Sequence, residues 1–150
     1  MNADAVQRLL DERDIERALY TAARAMDDHD WPALAGVFAD DATGDLGTGP
    51  LVGSAAIISL IRGYLDSCGP TQHLLANVIV DLSGDTAVSC AYVHDLHLAV
   101  GRPDRFYTMG DYRDRWERRA DRWQIVERTK LNRAHVGALE IVFGGQARSD

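Results

Sequence analysis

Apolar positions near the start of the chain recur at helical spacing. Val6, Leu9, Leu10, Ile15, Leu19, Ala22, Ala23 and Met26 form one stripe. Arg8, Asp11, Glu12, Arg13, Glu16 and Arg17 fill most of the opposite side, so residues 5–27 read as one long amphipathic helix. The polar run Asp27-Asp28-His29-Asp30 breaks it. Asp30 suits an N-cap and Pro32 a first helical turn, which predicts a short second helix ending near Ala39. The next stretch is turn-rich, with two short strands expected around 43–47 and 50–53. Ser54 is expected to cap a third helix over 54–67, with Ile57, Ile58, Leu60, Ile61 and Leu65 on its apolar side. Gly69-Pro70 stops that helix.

From residue 71 the apolar period changes from helical to alternating. Residues 71–82 and 86–100 flank the turn Ser83-Gly84-Asp85 and predict a hairpin. Residues 105–119 and 122–134 predict two further long strands around Ala120-Asp121. Three helices followed by a strand meander is an α+β order. A curved sheet wrapped around the long N-terminal helix leaves a cone-shaped pocket. Residues 1–143 are expected to form a single domain and 144–150 a disordered tail.

Bulk properties narrow the function classes. The chain has 150 residues, 46% hydrophobic and 26% charged, enough for one core and a small cavity. A formal charge of −7 argues against nucleic acid, whose phosphates require a basic surface. No run approaches the roughly 18 apolar residues of a membrane span, and the charged N-terminus has no signal core. A cytoplasmic protein that acts without a membrane is therefore expected. Cys68 and Cys90 read as free thiols, without metal-ligand spacing.

Chemistry enters at "TQHLLANV", where His73 heads an apolar run. Asp27 lies one turn beyond Ala23 on the apolar side of the first helix, an unusual place for an unpaired acid. His97 stands between Leu96 and Leu98, and Arg128 interrupts the last strand. An Asp bound to one imidazole nitrogen fixes the tautomer and raises the basicity of the other nitrogen. An arginine nearby holds an anion or stabilises developing negative charge. Such a set suits β-elimination, hydration or isomerisation without a cofactor. His94 alternates out of phase with His97, so the two should face opposite sides of their strand. Asn77 shares the parity of His73 and is a candidate pocket residue, as are Tyr20, Tyr112 and Trp31. Asp28, His29 and Asp30 read as a solvated helix end, and no metal site is expected.

Several stretches occur together in a known order. "AMDDHDWPALAGVFADDAT", "LVGSAAI", "TQHLLANV", "GDTAVS" and "GDYRDRWERRADRWQIVERTKL" resemble the successive motifs of the SnoaL-like branch of the nuclear-transport-factor-2-like (NTF2-like) superfamily, over roughly residues 8–135. That resemblance implies a cone-shaped, cystatin-like α+β barrel with a deep apolar pocket, in dimers or trimers. It also implies the Asp–His dyad of the family's dehydratases and dehydrochlorinases, carried onto Asp27 and His73, with a second histidine on His97 and a final-strand arginine on Arg128. Two departures stand out. The tyrosines that hold water in one such dehydratase fall on Met26 and Leu46, and the Lys or Tyr that assists the dyad in others falls near Ala22. Tyr20, Tyr92 and Tyr112 are the candidate replacements. The expected protein is thus a cofactor-independent lyase of the dehydratase type, acting on a small apolar polyketide-, steroid- or aromatic-like molecule as a homo-oligomer. An isomerase or cyclase using the same base, or a non-catalytic ligand-binding module, are the alternatives.

Overall fold

The structure, a computed structural model, describes residues 2–143. The expected tail at 144–150 lies outside the described residues. Helix α1 spans Ala3–Asp27, capped by Asn2, whose side chain accepts from the Ala5 N–H. Helix α2 follows at Trp31–Val37, with Asp30 as its N-cap accepting from Ala33. It ends earlier than expected, because Phe38 turns extended and opens strand β1, Phe38–Asp45. Strand β2 is Pro50–Val52 and helix α3 is Ser54–Leu65. Ser54 does not cap α3: Gly53 holds the cap position at φ 90°, and no side chain bonds there. A positive φ of that size favours glycine.

Four long strands follow: β3 (Thr71–Ser83), β4 (Thr86–Leu98), β5 (Arg105–Arg119) and β6 (Arg122–Gly137). A short helix α4, Glu140–Phe143, follows and has no counterpart in the sequence reading. The sheet order is β2-β1-β6-β5-β4-β3. Among the described residues only the β1–β6 pair is parallel; the others are antiparallel. The expected barrel does not close: β2 and β3 are the two ends of a mixed sheet. Among the described residues no helix is long and apolar enough to cross a membrane.

Helix α1 packs its Ile15, Leu19, Ala22 and Met26 stripe into the main core, with Leu34, Ile57 and Trp116. Two expectations about its N-terminal half need correction. Val6, Leu9 and Leu10 remain exposed. Asp11, grouped with the solvated charges, is buried one turn before Ile15 on the packed stripe. It accepts from Arg118 at 2.7 Å, Trp123 Nε1 at 3.2 Å and Gln7 at 3.0 Å. A buried carboxylate is tolerated when donors surround it, and this one ties α1 to β5 and β6. Leu19 has no exposed surface. Leu19→Ala is expected to lower unfolding free energy by about 2–5 kcal/mol, the usual cost of a core cavity, read as a drop in urea midpoint.

Candidate active site

Side-chain alternation on three neighbouring strands builds the site. On β4, Val93, Asp95 and His97 point inward. On β5 the inward positions are Phe106, Thr108, Tyr112 and Asp114, and on β6 they include Arg128 and Lys130. Cross-strand register pairs Thr108 with Asp95, Tyr112 with Lys130, and Asp114 with Arg128. A concave face therefore collects charged side chains that are far apart in sequence. His73, Asp95, His97, Arg128 and Lys130 line a cavity of about 290 Å³. Met26, Ile61, Leu65, Phe106 and Val142 give the cavity its apolar wall, so α1, α3 and α4 all contribute.

Asp27 leaves the C-terminal end of α1 and meets β3 head-on. Its carboxylate lies 2.7 Å from His73 Nδ1 and accepts the His73 backbone N–H at 2.9 Å and the Thr71 hydroxyl at 2.9 Å. The carboxylate favours the proton on Nδ1, which leaves Nε2 with its lone pair on the cavity side. Burial works to raise the Asp27 carboxyl, but the hydrogen bonds from His73 and Thr71 outweigh it and hold the acid below its ordinary value.

Beyond Nε2 lies Asp95. Its Oδ2 is 3.9 Å from His73 Nε2, 4.0 Å from His97 Nε2 and 2.7 Å from Lys130 Nζ. Thr108 donates to its other oxygen. His97 Nδ1 reaches the Phe106 carbonyl at 3.3 Å, and its ring stands edge-to-face with that of His73. Burial raises Asp95, yet the charges of Lys130 and His73 and the bonds from Lys130 and Thr108 bring it below its ordinary value. Burial depresses His97 against the pull of Asp95, while His73 depresses it further. His97 is thus held neutral.

His73, Asp95 and His97 offer ligand atoms within 4.8 Å of one another, which raises the question of a metal ion. Ligands sharing one ion at bonds of about 2.0–2.1 Å sit closer together than the 3.9 and 4.0 Å found here. The carboxylate oxygen also already holds an ammonium at 2.7 Å. The charge that a metal would supply to this carboxylate comes from Lys130.

Arg128 is the deepest cation. It grips Asp114 with two bonds of 2.7 and 2.8 Å, and the side chains are 2% and 1% exposed. Its guanidinium lies 4.1 Å from the centre of the Tyr112 ring and 5.4 Å from that of Phe38. Burial pushes the Tyr112 phenol up, so it stays protonated through the neutral range.

The structure brings together Asp27, His73, His97, Arg128 and Tyr112, and all but Asp27 line the cavity. The remaining candidates lie elsewhere. Asn77 sits at a break in register with φ 53°; inward parity passes from Thr71, His73 and Leu75 to Val78, Val80 and Leu82, which leaves Asn77 exposed. Tyr20 and Tyr92 face outward, exposed. Trp31 packs against the main core and stacks on His29. His94 points outward and bonds to Tyr107. The sequence reading missed Asp95, Lys130 and Thr108. Parity was the available signal, since Asp95 lies two residues before His97 and Lys130 two residues after Arg128.

The depressed groups set the pH dependence of stability. A histidine whose folded pKa lies below its unfolded value contributes stability that is present above about pH 6.5 and lost as pH falls through the folded value. The depressed carboxylates Asp27 and Asp95 contribute stability present above about pH 3.9 and lost on further acidification. Urea midpoints are therefore expected to fall in two stages as pH drops. His97→Asn should remove the His97 contribution to the first stage, seen as a flatter midpoint between about pH 7 and 5.

Comparison with known proteins agrees with the fold. No curated protein matches the chain. Among solved structures, a protein from Novosphingobium aromaticivorans provisionally named as an aromatic ring hydroxylase is 26% identical, with TM-score 0.80 over 89% of this chain and 97% of that one. A second Novosphingobium aromaticivorans protein, provisionally named scytalone dehydratase, is 19% identical, with TM-score 0.82 over 89% and 91%. Hexachlorocyclohexane dehydrochlorinase (LinA) Type2 is 20% identical, with TM-score 0.80 over 95% and 99%. The names span different reactions, so the shared fold does not select one. Residues 7–129 match the SnoaL-like domain, and the chain belongs to that family.

Proposed function

We propose that this protein is a lyase that eliminates water, or a similar leaving group, from a small, largely apolar molecule, with no cofactor in the reaction. The observation that carries this reading is the Asp27–His73 pair at 2.7 Å, with the second imidazole nitrogen beside an apolar cavity. In this reading His73 Nε2 takes a proton from carbon, and Asp27 steadies the imidazolium that forms. The same imidazole returns the proton to the departing hydroxyl, which requires both groups on one face of the substrate. Arg128 and His97 border the substrate oxygen. The cavity suits a single ring system or a short polyketide-like chain better than a large ligand.

Leu74, Ile79, Val88, Met109 and Leu131 are exposed on the sheet, which supports a homo-oligomer assembled there. No nucleic acid or membrane takes part in this reading, and the cytoplasm is its proposed location.

The test is a panel of hydroxylated polyketide-, steroid- and aromatic-like compounds followed by mass spectrometry. Loss of one water from a compound supports the lyase. A product of unchanged mass would replace it with an isomerase or cyclase, and binding without turnover would leave a ligand-binding module.

A further inference from the structure

We propose that Lys130 is the electrophilic group of this site, its ammonium holding the oxygen of a carbonyl-bearing substrate while His73 removes a proton from the adjacent carbon. This rests on the reading of His73 as the base, and it narrows the substrate to compounds with an ionisable C–H beside a carbonyl.

The placement comes from register. Lys130 is the next inward residue after Arg128 on β6, opposite Tyr112 on β5. Its ammonium and the cavity-side nitrogen of His73 approach the same Asp95 oxygen, at 2.7 and 3.9 Å. A base and a cation thus border one small space. Among the described residues, Asp95 is the hydrogen-bond partner found for the ammonium. An ammonium carries three donors, so further donors remain to meet a ligand oxygen. Asp95 and the Tyr112 ring position the nitrogen; the ring centre is 5.8 Å away.

The other groups are less suited to the task. Arg128 is committed to Asp114 through two bonds, and its side chain is 2% exposed against 14% for Lys130. His97 is held neutral by burial, so it brings a dipole and no full charge. Burial works against the Lys130 ammonium, but the Asp95 carboxylate, bonded to it at 2.7 Å, helps to offset that cost, and the cation persists at neutral pH.

A C–H beside a carbonyl ionises readily only where the oxygen that gains charge is stabilised, and a fixed cation in a water-poor site does this well. His73 Nε2 takes the proton. The C–H electron pair becomes the C=C bond of an enolate, and the carbonyl π pair moves onto the oxygen held by Lys130. The enolate then re-forms the carbonyl, its C=C pair shifts to the neighbouring bond, and the C–O bond to the β-hydroxyl breaks. The imidazolium proton leaves with that oxygen as water. Substrate becomes unsaturated carbonyl compound plus water, and the protein ends as it began.

Two probes test this. 4-Nitrophenolate mimics the enolate oxygen, and nitrobenzene has a similar ring with no such anion. Both are titrated against wild type, Lys130→Met and the double variant Lys130→Met/Asp95→Asn. The double variant removes both charges together and carries the same comparison should the single variant fail to fold. Wild type is expected to bind both probes and to strengthen the visible band of the phenolate form. Loss of Lys130 should weaken phenolate binding by at least about tenfold, as for a charged hydrogen bond, while nitrobenzene binding is retained. Unchanged phenolate binding, or equal losses for both probes, would overturn the role of Lys130 and leave the pocket intact as a ligand site. Failure of wild type to bind either probe would overturn the pocket reading and this proposal together.

Discussion

His73→Ala is expected to reduce turnover by about 10²–10⁴-fold, the usual contribution of a positioned general base. The measurement is initial rate on whichever panel compound loses water with the wild-type protein. Asp27→Asn should be slower too, with a different signature. The amide cannot steady an imidazolium, and it competes for the wrong tautomer, because its NH₂ can donate to Nδ1 where the carboxylate only accepts. The loss in Asp27→Asn should therefore be smaller than in His73→Ala, because the variant keeps an imidazole and lacks only the group that orients and steadies it. The stability of both variants needs to be read in parallel, since Asp27 also accepts from the backbone of His73 and from Thr71 and so joins α1 to β3. Turnover that survives in both variants would remove the dyad mechanism.

The largest expected loss of stability lies deeper, at Arg128 and Asp114. Each side chain is almost fully enclosed, and the two bonds between them satisfy charges that the surrounding core cannot. Removing one partner strands the other, which costs about 3–5 kcal/mol for a buried pair. Arg128→Met is the sharper case, because it also removes the cation beneath the Tyr112 ring. The double replacement Arg128→Met/Asp114→Leu should recover much of that loss, since it leaves no buried charge. Urea denaturation of the three variants gives the comparison. If the single variants match wild type, the pair is solvated and the deep cation assigned here is not in place. If the double variant is as unstable as the singles, packing around Tyr112, and not the charge, governs this part of the core.

Much of the fold was legible because it is written in short-range periodicity. Ile15, Leu19, Ala22 and Met26 repeat at helical spacing, so α1 was readable at nearly its full length. The long strands from residue 71 onward alternate, and β5 has the expected bounds. Asp30 was readable as a cap because a carboxylate before Trp-Pro has few other local roles. Short elements were less legible. Strand β1 starts at Phe38, inside what reads as a helix, because pairing with β6 overrides local propensity there. Helix α4 is four residues long, too short for any period, and is held by contacts of Ile141 and Val142 with Cys68 and Phe106.

For the site, the dividing line is sequence distance. His73 stood out because a histidine heads an apolar strand, and Asp27 because an acid sits on an apolar helix face; each anomaly is local. That the two meet at 2.7 Å depends on where the end of α1 lands against β3, 46 residues away in sequence. Asn77 was misplaced because parity was carried across a bulge that only the backbone path reveals. Asp95, Thr108 and Lys130 each look like ordinary polar residues in alternating strands, and register alone turns them into one cluster. The sequence by itself determined the long helices and strands and singled out Asp27 and His73 for acid–base chemistry, because those properties reside in side chains and their nearest neighbours. The tertiary structure decided which of those residues share a cavity, because pairing across strands and the docking of α1 are set by the whole core at once.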